Sequence, residues 1–299
     1  TPAPLAWLRT LDLEGQLAVG ELKLGGLKGG RAQLEIQAKG GQINLDHHVK
    51  RFYGGTLDGD LDLDARGPEP RWRLVERARR IQADPFLRDL TGKSRLTGTG
   101  GFGADLRAAG RTRPALTRSL EGQLDFRFSN GTFKGFNLAR AIREAKARLQ
   151  GETLPPSNQP LQTDFSELSA SAQVANGVAR NEDLAAKSPY LRVSGRGSVD
   201  IAAATLDYRL EPIIVKSPSG QGDTDLSALE GIPIPVHLRG PWRKPHWEID
   251  IASVVEEVGK EKLIEKIEQD ERVQRQLDKL EERTGIKGLG EGLKGLFGR

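Results

Sequence analysis

Leu57, Gly59, Leu61, Leu63 and Ala65 alternate with Asp58, Asp60, Asp62, Asp64 and Arg66. Successive side chains of an extended chain point to opposite faces, so this run makes a strand with one apolar and one charged face. The same two-residue period returns along the chain. Ala32, Leu34, Ile36 and Ala38 alternate with Gln33, Glu35, Gln37 and Lys39, and Leu120, Gly122, Leu124, Phe126 and Phe128 alternate with Glu121, Gln123, Asp125 and Arg127. Further runs lie at 168–174, 191–201, 206–210, 236–238 and 247–251. Gly, Pro, Asn or Asp bound each run and supply the backbone angles that turns require. The chain reads as mainly β, with many antiparallel strands in series.

A hydrophobic content of 36% is low for a compact core in 299 residues. The apolar residues are patterned rather than scattered, which argues against disorder. The absence of cysteine removes disulfides, thiol catalysis and the commonest structural zinc ligands. A net charge of +4 comes from 45 basic and 41 acidic residues that are interspersed, whereas nucleic-acid binding calls for a basic stripe. Arg71, Arg73, Arg77, Arg79 and Arg80 are the local excess and read as a solvated strand or loop face. No apolar run approaches the ~18 residues of a spanning helix. With no methionine and a Thr-Pro-Ala-Pro start, the sequence reads as a piece of a longer or processed protein, any signal or anchor lying outside it.

Helical interruptions are expected in three places. Asp84 and Pro85 open a short helix near 84–90, as N-cap and first helical residue. A second runs over 137–150, with Leu138, Ala141, Ile142, Ala145 and Leu149 on one face and Gly151 as its C′ residue. A charged amphipathic helix over 253–284 begins at a capping box of Ser253 and Glu256. The remaining 285–299 form a Gly/Leu-rich tail in which Ile286, Leu289, Leu293, Leu296 and Phe297 fall at helical spacing. Each glycine opposes that helix by ~1 kcal/mol, while burial of the five apolar side chains at a bilayer returns ~1.5–3 kcal/mol each. Contact with a membrane or a partner stands beside a frayed tail or a strand docked on its own domain. The expected organisation is a β domain over 1–252, the charged helix, and the tail.

Signatures of chemistry are weak. Gly98, Gly100 and Gly103 spell GxGxxG, but a dinucleotide site needs that motif to open a helix after a parallel strand. Here the alternation continues through Ala104–Arg107, so a hairpin turn or bulge is expected. His47 and His48 point to opposite faces if extended, and His237 and His246 have no metal-ligand partner at short spacing. No serine elbow, P-loop or carboxylate pair stands out, so no enzyme, metal or cofactor is expected.

The apolar strand faces must meet something. Either the sheet closes on itself as a self-filled core, or it curls into a long, curved antiparallel sheet whose apolar groove another material fills. An inner face of Leu, Val, Ala and Gly with only 5% aromatics favours the groove. Its candidate lining is Leu57, Leu61, Leu63, Leu124, Phe126, Phe128, Leu191, Val193, Val199, Ile201, Leu206, Tyr208 and Leu210, and each of these serves equally well as core packing.

The segments FYGGTLDGDLDLDARG (52–67), DPFLRDLTGKSRLTGTGGFGADL (84–106), SLEGQLDFRFSNGTFKGFNLARAIR (119–143), FSELSASAQVANGVARNEDLAAKSPYLRVSGRGSVDIAAATLDYRL (165–210) and IPIPVHLRGPWRKPHWEIDI (232–251) resemble, in that order, the C-terminal region of the AsmA-like family. The resemblance implies a periplasmic protein of Gram-negative bacteria, held in the inner membrane by an N-terminal helix outside this sequence. It also implies a role in outer-membrane homeostasis and a relation to bridge-like lipid-transfer proteins. The expected cargo is phospholipid, the expected contacts are a membrane surface and envelope-assembly proteins, and nucleic acid is not expected. A closed β core that recruits such partners through the C-terminal helix is the alternative.

Overall fold

The computed structural model describes residues 6–149, 158, 160–215, 230–250, 254, 256 and 259. The chain divides into two units, Thr1–Ile249 and Asp250–Arg299. In the first, the strands are β1 (Asp12–Leu24), β2 (Leu27–Lys39), β3 (Gln42–Phe52), β4 (Gly55–Asp64), β5 (Arg71–Gln82), β6 (Thr99–Ala109) and β7 (Glu121–Lys134). They continue as β8 (Gln162–Ala175), β9 (Val178–Lys187), β10 (Leu191–Asp200), β11 (Thr205–Ile214), β12 (Val236–Pro241) and β13 (His246–Ile249). All thirteen form one antiparallel sheet in chain order. β1 and β13 do not pair with each other, so the sheet is open and not a barrel.

Cross-strand register puts the apolar positions of successive strands side by side. One row runs Leu45, Leu61, Leu74, Leu106 through β3 to β6. The next row but one on the same face runs Val49, Leu57, Ala78, Phe102, Phe126, Ala170 through β3 to β8. The opposite face is a lattice of charge. Asn44 donates to Asp60 and Asp62, Arg73 pairs with Asp105 and Arg77 with Asp125, and Arg79 bridges to Asp58. Three of the five arginines of the basic excess thus hold carboxylates on neighbouring strands, and exposed pairs of this kind stabilise by only ~0–1 kcal/mol each.

Two helices are inserted at the same end of the strands. α1 (Ala83–Thr91) joins β5 to β6, and α3 (Leu138–Leu149) joins β7 to β8. The N-cap of α1 is Gln82 rather than Asp84. The reason is tertiary: the Gln82 N–H donates to Tyr53 O and the Ala83 N–H to Gly98 O, so backbone brought in by the folded sheet holds these donors without a side-chain cap. Pro85 is accommodated at the third helical position because no N–H of the first turn has an intrahelical acceptor. Gly92, at φ 79°, ends the helix by donating to Arg88 O. In α3, Asn137 caps the first turn by accepting from the Arg140 N–H, and Leu138, Ile142 and Ala147 are buried. α2 (Arg113–Arg118), with Thr112 as N-cap, and a 3-10 helix over Ala6–Thr10 lie at the opposite strand end and were not expected from the sequence.

Aromatic side chains are concentrated under α1. Phe52, Phe86, Phe128 and Phe165 are buried together with Ile81 and Val49, and Tyr53, Phe102 and Phe126 pack against them. Phe86 stacks on Phe102 at 5.2 Å between ring centroids. The low aromatic content therefore does not mean an unplugged face, because these rings cover one end of it. At the opposite end, Leu8 of the 3-10 helix is buried with Leu63 and Ala65. Gly100 and Gly103 lie within β6 rather than in the expected turn. A Cβ at Gly100 would come within 2.0 Å of Arg127 O, so the glycine is required by close strand approach. Of the expected 253–284 helix, Val254, Glu256 and Gly259 are helical, while the rest, and the tail from 285 onward with Ile286, Leu289, Leu293, Leu296 and Phe297, lie outside the described residues.

Candidate functional site

The candidate site is the apolar face between the two covered ends. Leu61, Leu124, Val193, Val199, Leu206, Tyr208 and Leu210 are half-buried, as are Leu45, Leu74 and Leu106. These positions have paired strands on both sides, so their remaining exposure lies on the face of the sheet. The other candidates fall elsewhere. Leu57, Phe126 and Phe128 belong to the aromatic cluster, Leu63 lies under the 3-10 helix, and Leu191 is buried at the helix-bearing end. Ile201 follows β10 in the turn to β11.

Two polar bridges interrupt the face, and each crosses a glycine. His47 on β3 and Glu76 on β5 flank Gly59 of β4 in register, and the imidazole Nε2 lies 3.1 Å from the carboxylate. A Cβ at Gly59 would fall 2.5 Å from Glu76 Oε2 and 2.6 Å from His47 Cε1. The hydrogen bond to Glu76 raises the His47 pKa above the usual value; burial opposes the shift, and the carboxylate charge adds to it. His48, one residue on, points to the charged face and meets Asp58, as the alternation requires.

The second bridge crosses Gly197 of β10. The Tyr208 hydroxyl on β11 donates to Asn181 Oδ1 on β9. The amide of Asn181 in turn donates to Ser171 O and to Asp183 Oδ1 at 2.6 Å each. Burial, then the charges of Asp183 and Glu182, push the Tyr208 pKa up to about 12. Neither bridge is announced by the alternation, which reads His47 and Glu76 as interruptions. The signal was the glycine between them, one strand away on each side.

Nothing in this arrangement assembles a nucleophile with a base, and among the described residues no three His, Asp or Glu side chains are placed to hold a metal ion. Among the described residues no helix is long and apolar enough to cross a membrane. What the geometry offers is an apolar surface many strands wide, with a charged reverse side.

No solved structure matches the chain. The protein named Protein AsmA from Escherichia coli (strain K12) is 25% identical over 221 residues, 74% of this chain and 36% of that protein. The chain thus spans little more than a third of the length of that relative. The model of the AsmA family matches residues 5–184, which takes in β1 to β8 and most of β9, and with more than half its length matched the chain belongs to the AsmA family.

Proposed function

We propose that this chain is a non-enzymatic lipid-handling part of a bacterial cell-envelope protein. Its apolar face shields phospholipid acyl chains on their way between the inner and outer membranes, and a membrane anchor lies in the longer protein. One observation supports the reading: leucines that stand in register on paired strands keep part of their surface exposed. Exposing an acyl chain to water costs ~0.8 kcal/mol per CH₂, on the order of 10 kcal/mol for a whole chain. A face as apolar as a bilayer removes that barrier without holding the lipid tightly.

A concave apolar face is supported by Phe136 and Trp247, whose rings stack with centroids 4.0 Å apart. Phe136 follows β7 by two residues, and Trp247 lies on β13, on the apolar side by its pairing with Leu238. Six strand spacings of ~4.8 Å separate β7 from β13, so a flat sheet holds them on the order of 20 Å or more apart. Curling toward the apolar side brings them together. The same stack, with buried Ile142, Ile214, Ile234 and Val236, favours a second reading for the β7–β13 half: a self-filled core that presents a partner-binding element.

The test is mass spectrometry of lipid co-purifying with the protein from bacterial membranes. Phospholipid at defined stoichiometry that is lost in Leu61→Asp, with the melting temperature kept, supports the lipid face. Lipid-free, stable wild-type protein, or a Leu61→Asp variant that loads normally, sinks it.

A further inference from the structure

The end of the strands that bears α1 presents exposed apolar side chains beside exposed basic ones. Among the described residues, Leu24, Leu90, Leu161, Tyr190 and Val215 are exposed large hydrophobic residues along it. Leu24, 73% exposed, tips the β1–β2 hairpin, and Leu90, 51% exposed, is on α1. The two belong to one patch, because Lys28 of the hairpin pairs with Asp89 of α1 at 3.2 Å, and Gly26 lies against Asp89 O.

Around these leucines three carboxylates are already engaged, while Glu21 on β1 is exposed and makes no ion pair among the described residues. Asp89 holds Lys28 and the Tyr53 hydroxyl, Asp84 holds Arg88 and Lys134, and Asp58 holds Arg79. Lys23, Arg31, Arg51, Arg80 and Lys93 are exposed at this end and, among the described residues, make no ion pair. The opposite end carries both signs, with Asp12, Glu14, Asp62 and Asp64 near exposed Arg9, Lys39, Arg66 and Arg71.

Exposed leucines beside unpaired cations match the two demands of an anionic bilayer surface, apolar insertion and headgroup attraction. We propose that the α1 end of the sheet docks on an anionic membrane, with Leu24 and Leu90 entering the interface and Lys23, Arg31, Arg51, Arg80 and Lys93 over the headgroups. Docking there sets which edge of the apolar face meets lipid. The purpose of this surface rests on the lipid-handling reading, while its chemistry stands on the patch itself.

The experiment is flotation of the full chain with phosphatidylcholine vesicles, with and without an equal amount of phosphatidylglycerol. Wild-type protein floats with the anionic vesicles and is released by high salt. Leu24→Asp with Leu90→Asp lowers the bound fraction about tenfold or more. Reversal of Lys23 and Lys93 to Glu lowers it about fivefold per site, and both sites are exposed enough to leave the fold intact. Leu293→Asp with Phe297→Asp in the tail leaves flotation unchanged. Flotation equal on both vesicle types, absent altogether, or lost only in the tail variant overturns the proposal. Lipid retention assayed on the same samples separates the two ideas: flotation without co-purified lipid sinks the lipid face alone, and lipid without flotation sinks the docking surface alone.

Discussion

Gly59 is where the apolar face tolerates charge. Its missing side chain leaves room for His47 and Glu76 to meet across β4, and Val75 O lies 2.6 Å from where a Cβ would stand. Gly59→Ala therefore forces the pair apart and presses on the β5 backbone, with an expected loss of about 1–3 kcal/mol in chemical denaturation. The pair also makes stability depend on pH. The folded-state pKa of His47 is raised, so its contribution is complete below the unfolded value of about 6.5 and is lost as pH rises through the folded value. Denaturation midpoints are expected to fall across that window in the wild type and to flatten in His47→Gln. A His47 resonance that titrates at or below the ordinary histidine value in NMR contradicts the assignment. At the second bridge, ultraviolet titration of the tyrosines is expected to leave one, Tyr208, neutral until about pH 12; Tyr208→Phe removes that step.

α1 shows why some elements are legible in sequence and others are not. The helix near 84–90 can be read from Asp84, Pro85 and Phe86, but its cap cannot, since the donors of Gln82 and Ala83 are taken by Tyr53 and Gly98, which only the folded sheet brings near. Strands with unbroken alternation, such as β4, are plain. β5 is not, because the register shifts between Ala78 and Ile81 while Arg80 takes φ 54°, which puts two inward residues three positions apart and breaks the period. β3 is disguised by His47 on its inner face. The candidate site was legible as a face, but which leucines stay open and which lie under α1 depends on a helix inserted from elsewhere in the chain. That difference is measurable. Phe86→Ala, in the packed cluster, is expected to cost about 3–5 kcal/mol, whereas Leu61→Ala, at a half-buried position, costs well under the ~2–5 kcal/mol of a buried leucine. Equal losses at the two sites mean that the middle of the face is covered.

For the molecule as a whole, the charged reverse side and the open apolar side make different demands on solvent. Pairs such as Arg77–Asp125 and Arg66–Asp64 are exposed, so salt is expected to change stability little. The apolar side behaves differently if lipid covers it. A ligand that binds the folded sheet and not the unfolded chain stabilises it by mass action, about 2.7 kcal/mol at a hundredfold excess over its dissociation constant. For a chain of this size that is a rise of about 4 °C in melting temperature. Protein stripped of lipid by detergent exchange is therefore expected to melt lower than protein as purified, and to recover on titration with short-chain phospholipid below its micelle concentration. Leu61→Asp and Leu124→Asp should abolish the recovery while leaving the lipid-free melt near that of the wild type. Leu61 and Leu124 share the middle of the face, whereas Asp125 faces the other way, so Asp125→Asn should recover as the wild type does. A melt that is the same with and without lipid assigns the whole face to self-packing. Recovery in all variants places the lipid somewhere other than the middle rows.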